Sequence, residues 1–409
     1  MTGFGAGSGG RAMGIMSDGR VVVAGDRGSY IDAGGRVEDD NDFAVARYMP
    51  SGALDVSFGR DGQVTTDVGG KGDKVEVLLA LPSGQTLVAG YALTRYIRRC
   101  CNPDTDFAIV RYNTNGTLHR TFGDDGRVLT DFRNGDGVDA LVVQPDGKIL
   151  AGGWSYTANG EHLAFALARY DNDGSLDESF GEDGMVLTEI GGASLRALSL
   201  QPDGKILAAG AGCCTEDGQR LLVLIRYNAD GSIDTSFGDS GIVTTPTGSF
   251  SFEGDTLFAP DGSIFAAGYG YADLPNENCS CPTFAVAHFN ADGSRDLSFG
   301  RDGQVLAFAR GSSYAYGMAV QADGKIVAAG VLYGSIRGVF ALARFDTAGL
   351  RDQTFGHHGK VTTRFDRYRE VYARALAIDA DDRIVTAGRV GNDYYPGSIG
   401  GFALARYLG

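Results

Sequence analysis

Long helical periods are what this sequence most lacks. Its 409 residues include 63 glycines, and Gly, Asp and Pro break the chain too often for a sustained 3.6-residue apolar period. Basic charge is also short: 36 Lys and Arg against 51 Asp and Glu leave a net charge of −15. That balance argues against a nucleic-acid backbone or an anionic membrane surface as partner. No run of 18 apolar residues occurs, so no membrane insertion is expected. The opening MTGFGAGSGG has no charged-then-apolar leader of the secretory kind. Histidine and tryptophan are scarce, at five and one. The glycines keep no G-X-Y period and 43% of residues are hydrophobic, which excludes collagen and a disordered chain. The composition is all-β.

What the sequence has is repetition. The tight turn PDGK, or its variants, places its glycine at Gly19, Gly84, Gly147, Gly204, Gly262 and Gly324, with Asp382 in the seventh copy. The steps between these positions are 65, 63, 57, 58, 62 and 58 residues. The phrase FALARY or a variant starts at Phe43, Phe107, Phe165, Leu222, Phe284, Phe340 and Phe402. Phrases kept in one order through seven copies point to a repeat fold.

Each unit reads as four short strands. In the third copy the first is DALVVQPDG from Asp139 to Gly147, and the second is KILAGG from Lys148 to Gly153. Asp-Gly between them supplies the positive-φ residues of a two-residue hairpin. FALARY is the third strand, DNDGS the next turn, and MVLTEI from Met185 to Ile190 the fourth strand, entered through SFGEDG. Four strands per unit of about 60 residues, with no helix between, fit a β-propeller blade. The expected fold is one seven-bladed β-propeller of four-stranded blades over residues 1–409, with blade starts near 12, 76, 139, 196, 255, 317 and 374. The chain ends on FALARYLG, a third strand, so the seventh blade lacks its fourth. Aligning Gly19 with Gly147 sets MTGF on LTDF and Phe4 on Phe132. Residues 1–5 are therefore expected to complete the last blade and close the ring. This clasp is short, so more sequence before Met1 is expected in the natural chain.

The phrases QPDGKILAAG at 201–210, FALARYDNDGSLDESFG at 165–181 and DGRVLTDF at 125–132 resemble the bacterial delta-60 repeat family of β-propellers, over essentially the whole chain. The resemblance implies a seven-bladed propeller in an exported or surface-associated bacterial protein. It brings no catalytic motif that maps onto this chain.

The arginine of FALARY recurs as Arg47, Arg111, Arg169, Arg226, Arg344 and Arg406, with His288 in the remaining copy. Eight residues on come Asp55, Asp177, Asp234, Asp296 and Asp352, with His119 in the second copy. A hairpin turn separates them, so Arg47–Asp55, Arg169–Asp177, Arg226–Asp234 and Arg344–Asp352 are expected as structural ion pairs across strands. DNDGSLD resembles a calcium loop but lacks the EF-hand spacing and its glutamate, and sister copies drop the carboxylates. No metal or cofactor is expected. The SFG phenylalanines are expected to pack between blades.

Variation concentrates between the second and third strands, where the intervals are 17, 16, 11, 11, 15, 9 and 13 residues. Trp154, Tyr156, Tyr269, Tyr271, Tyr333, Tyr394 and Tyr395 fall in these intervals, read here as loops, and the connections into the first strands add Tyr314, Tyr316, Tyr368 and Tyr372. Exposed amphipathic aromatics suit protein recognition or stacking on sugars. All six cysteines lie there too: Cys100 and Cys101, Cys213 and Cys214, Cys279 and Cys281. An even number in loops makes disulfides and an oxidising compartment the expectation. CC and CSC lack zinc-site spacing.

No G-x-S-x-G, H-E-x-x-H or Walker sequence occurs. His119 and His288 stand at repeated positions, His357 and His358 precede Gly359, and His162 follows Trp154 in the third interval. Acids such as Glu161, Asp273, Glu370 and Asp393 have no evident partners. The expectation is a non-catalytic binding module of a secreted or cell-surface protein, one module of a longer chain, with a protein or carbohydrate ligand. A glycan-active hydrolase or lyase on the same face is the alternative, and a structural spacer the second.

Overall fold

The computed structural model describes the chain apart from residues 1, 5–7, 29, 32–36, 39–40, 71, 96–103, 133, 213–219, 272–280, 309–310, 335–336, 366–367, 393–399 and 409. Its regular elements are all strands. Six sheets have four strands in sequential order and a seventh has three. A short ribbon pairs Tyr30–Ile31 with Val37–Glu38. The fold is an all-β, seven-bladed β-propeller. The chain also divides into two compact units. Arg11–Cys214 with Leu222–Thr244 carries the bulk of the first four blades; Met1–Gly10, Thr215–Leu221 and Thr245–Gly409 carry the other three.

Blade three shows why the repeat folds as it does. Its strands are Asp136–Val143, Ile149–Tyr156, Leu163–Tyr170 and Met185–Thr188. The two middle strands are buried on both faces, so they read as continuous apolar runs rather than alternating ones. The first strand carries a bulge at Asp139, between the pairs Val138↔Gly153 and Ala140↔Gly152. The glycine that ends KILAGG is needed there: a Cβ on Gly153 would lie 1.9 Å from the Gly137 carbonyl oxygen. Equivalent bulges fall at Glu76, Arg196, Tyr316 and Arg374.

The repeated Arg and Asp belong to a larger bracket. Arg169 Nε donates to Asp177 Oδ2 at 2.6 Å, and its guanidinium stacks 4.6 Å from the Phe180 centroid. The same side chain donates to Ser179 Oγ at 3.1 Å and to the carbonyl of Ala229, in the next blade's turn. Beside it, Gly181 N–H donates to Asp230 O at 2.8 Å, again in the next blade. Gly181 has φ 58, and a Cβ there would meet the Met185 carbonyl oxygen at 2.2 Å, so the position admits only glycine. Arg47 with Asp55, Arg226 with Asp234 and Arg344 with Asp352 pair at 2.8, 2.7 and 2.9 Å. In the second copy, where His119 replaces the acid, Arg111 donates instead to Gln85 and to Asn172 of blade three, each at 2.8 Å. In the fifth, His288 Nδ1 lies 2.8 Å from Asp296, with its ring stacked on Phe265. A second tie uses the tyrosine of FALARY: the Tyr112, Tyr170 and Tyr227 hydroxyls meet Thr66, Thr130 and Thr188 of the preceding blade at 2.8, 2.7 and 2.9 Å.

Blade seven has three strands, Glu370–Ile378, Ile384–Gly391 and Gly400–Tyr407, and the N-terminal segment takes the fourth place. Thr2 and Phe402 exchange N–H···O bonds of 3.0 and 2.8 Å. In blades one, two, three and six the threonine of the fourth strand faces the phenylalanine of the third in the same way. Phe4 then packs on Phe402 with centroids 4.7 Å apart, matching Phe132 on Phe107 at 4.8 Å. Phe4→Ala and Phe132→Ala should therefore destabilise alike, by about 3 kcal/mol each in denaturant titrations. A neutral Phe4→Ala beside a costly Phe132→Ala would contradict the clasp.

Candidate functional site

The structure corrects where the aromatics sit. Trp154 and Tyr156 are not in a loop; the second strand of blade three continues through Tyr156, pairing Trp154 with Phe165 and Tyr156 with Leu163. Tyr269 and Tyr271 likewise end the second strand Ile264–Tyr271, and Tyr333 ends Ile326–Tyr333. Tyr314 and Tyr316 belong to the first strand Ser313–Val320, and Tyr372 to Glu370–Ile378. Cross-strand pairing outlasts the repeated words, because any side chain that tolerates the pleat can continue a ladder. Being on strands fixes these rings more firmly than loops would. Tyr368 packs against the core of blades six and seven. Tyr394, Tyr395, Cys100, Cys101, Cys213, Cys214 and Cys279 lie outside the described residues. Cys281 is disulfide-bonded.

In the unit holding blades five to seven the tyrosines form a row. Tyr271 meets Tyr269 at 5.7 Å between centroids, and Tyr269 meets Tyr314 at 5.3 Å. Tyr314 meets Tyr333 at 6.2 Å, and Tyr333 meets Tyr372 at 6.2 Å. Most of these contacts are edge-to-face, the geometry favoured by ring quadrupoles, while Tyr316 lies parallel to Tyr314 at 6.3 Å. Arg374 covers the Tyr316 ring at 4.3 Å and lies 6.0 Å from Tyr372. The Tyr372 hydroxyl donates to Glu370 at 2.8 Å. Tyr271, the most exposed member, also borders a cleft of about 440 Å³ lined by Gln304, Phe345, Leu350, Arg301 and Arg351.

The other unit carries its own grouping. Trp154 touches Tyr91 and Tyr156, at 6.1 and 5.8 Å. Lys74 lies over Tyr91 at 5.3 Å and pairs with Glu76 at 3.1 Å. Arg11 bonds Asp26 at 2.6 Å and approaches Glu76 at 3.5 Å, and Arg196 lies 3.3 Å from Asp139. Burial raises the Asp139 carboxyl to about 6, against the pull of Arg196. Glu76, Asp139, Arg196, Tyr316 and Arg374 are bulge residues, each five positions before the turn's first residue (Leu81, Gln144, Gln201, Gln321, Asp379), and Arg11 holds that place before Met16. The signal available in the sequence was this one varied position inside uniform flanks.

Two acid groupings also went unnoticed in the sequence. Asp42, Asp67 and Asp73 bring carboxylate oxygens within 4.8 Å of one another, as do Asp106, Asp131 and Asp136. Among the described residues these are the groups able to hold a metal ion. The innermost acid of each is a blade-to-blade joint: Asp136 accepts N–H bonds from Phe107 at 2.6 Å and Phe132 at 2.9 Å. Ser313 takes the same place between blades five and six, accepting from Phe284 N–H at 2.9 Å and donating to Phe308 O at 3.1 Å. Burial, reinforced by Asp106 and Asp131, raises Asp136 to about 9; burial raises Asp73 to about 7.

The Asp-rich turn is held by its own side chains. Asp173 Oδ1 accepts from the Ser175 N–H and hydroxyl at 3.0 and 2.6 Å, as Asp230 does from Ser232. His357 and His358 face each other at 4.4 Å, and His358 meets Gln353 at 3.1 Å. The segment after Tyr156 is a compact turn, closed by Thr157 N–H to His162 O at 2.8 Å, with Glu161 bonded to Asn159.

With this geometry in view, five segments match the family model "Domain of unknown function (DUF5122) beta-propeller": residues 17–58, 81–122, 144–180, 201–237 and 321–355. These matches support a β-propeller repeat family. No curated relative matches the chain. Among solved structures, polysaccharide lyase Uly1 superposes with a TM-score of 0.53 at 10% identity, covering 98% of this chain and 90% of that one. Sqt1 of Chaetomium thermophilum, bound to the N-terminus of ribosomal protein L10, superposes with a TM-score of 0.50 at 13% identity, covering 100% and 98%. At such identities the likeness extends to the fold alone.

The raised carboxyl of Asp136 sets a pH dependence. Its proton is held more tightly in the folded chain than in the unfolded one, where such a group titrates near 4. Its contribution to stability is therefore full below about pH 4 and is lost as pH rises toward about 9. Asp136→Ser, the residue used at position 313, should lower the melting temperature at pH 4 and cost markedly less, or nothing, at pH 8. A uniform loss at both pH values would contradict this reading.

Proposed function

We propose that the chain is a non-catalytic binding module of an exported protein, built of delta-60-type repeats, and that it recognises a glycan on the tyrosine row of blades five to seven. The observation that carries the reading is the unbroken contact series Tyr271–Tyr269–Tyr314–Tyr333–Tyr372. The rings come from first and second strands of neighbouring blades, so one ligand can bridge repeats rather than read one. Strand-borne tyrosines lose little side-chain entropy on binding and offer both a ring face and a hydroxyl, which suits sugars. The hydrolase or lyase alternative calls for a paired acid and base. Of the described histidines, His288 is engaged in a blade bracket and His358 with Gln353.

The test is a glycan and peptide array probed with wild type, Tyr271→Ala and Trp154→Ala. Wild type should retain glycans, and Tyr271→Ala should weaken retention roughly five- to tenfold. Trp154→Ala, in the other unit, should leave it unchanged. Loss with Trp154→Ala alone would move the site to blade three, and retention of peptides without glycans would refute the glycan reading.

A further inference from the structure

The charges along the tyrosine row specify the kind of glycan. The arginines at the repeated positions are commonly matched with carboxylates: Arg47, Arg169, Arg226 and Arg344 in the brackets, Arg11 and Arg196 at first-strand positions. Arg374 occupies the same first-strand position as Arg196, yet among the described residues no carboxylate pairs with it. It is half-buried and held by the face of Tyr316. A guanidinium stacked this way keeps its edge donors in the ring plane's periphery and available to an anion.

A second arginine stands nearby on the neighbouring strand. Arg389 faces Tyr372 across the first and second strands of blade seven. Glu370, the acid touching the row, is engaged by the Tyr372 hydroxyl. In a chain of net charge −15, Arg374 sets against the tyrosine row a guanidinium that no carboxylate among the described residues pairs with.

Resting on the glycan reading above, we infer that this row takes an acidic polysaccharide, with Arg374 receiving the anionic group of a sugar whose ring lies on the tyrosines. The carboxylate of a uronic acid and a sulfate ester each present a pair of anionic oxygens that a guanidinium can bind with two N–H bonds.

The experiment is isothermal titration with polygalacturonate, a sulfated galactan and neutral dextran, using wild type, Arg374→Gln, Arg374→Lys, Tyr314→Ala and Arg120→Gln. Arg120 is 83% exposed on an outer turn of blade two and reports non-specific polyanion attraction. At least one acidic polymer should bind and dextran should not. Arg374→Gln should weaken binding about tenfold with an unchanged melting temperature, and Arg374→Lys should restore part of it. Whichever acidic polymer binds identifies carboxylate or sulfate as the group received. Dextran binding as well as the acidic polymers, lost in Tyr314→Ala but not in Arg374→Gln, would overturn this inference and leave the glycan reading standing. No binding by any polymer would overturn both, and equal loss in Arg120→Gln would reduce the effect to bulk charge.

Discussion

One repeated interaction ties blades one to four in sequence: an arginine that is bonded, stacked and inserted at once. Arg169 satisfies Asp177 within its own blade, lies on Phe180, and ends on a backbone carbonyl of the next. Burying a guanidinium is costly unless its donors are met, and here they are met from two blades. Asp177 gains in the same way. Burial would raise its pKa, but the Ser179 hydroxyl, Lys148 and Arg169 hold it below the usual carboxylate range. The bracket is thus a joint rather than a surface ion pair, and copies that lose one member find substitutes: Gln85 and Asn172 for Arg111, a stacked His288 opposite Asp296.

Because the brackets sit at the turns between third and fourth strands, the opposite ends of the second strands are released from that duty. There the sequence drifts, but the ladder does not stop. The strands run on to Tyr156, Tyr271 and Tyr333, and the first-strand bulges turn one extra side chain out of register in blades two, three, four, six and seven. Scaffold and candidate site are therefore separated along the strands, not assigned to different segments of chain.

Much of the fold was legible because each blade repeats the same local instructions. The Asp-Gly turns and the buried FALARY strand can be understood from one copy, and setting Phe4 on Phe132 takes only two. The site was less legible for a physical reason. Strand length at the variable ends is set by pairing with a partner strand, so Trp154 and Tyr269 looked like loop residues. The bulge at Tyr316 or Arg374 depends on how closely the first-strand backbone approaches a second-strand glycine, which spacing alone does not announce. The acid at Asp136 is a joint between blades, and Ser313 does that work with a hydroxyl, so no shared letter marks the place.

The separation of scaffold from site is tested most directly by measuring thermal stability and acidic-glycan affinity together on Arg169→Met and Tyr314→Ala. The account requires the two to part: Arg169→Met lowers the melting temperature and keeps the affinity, while Tyr314→Ala keeps the melting temperature and loses affinity. Loss of affinity in a fully stable Arg169→Met would contradict it, because the bracket arginine would then be part of the site.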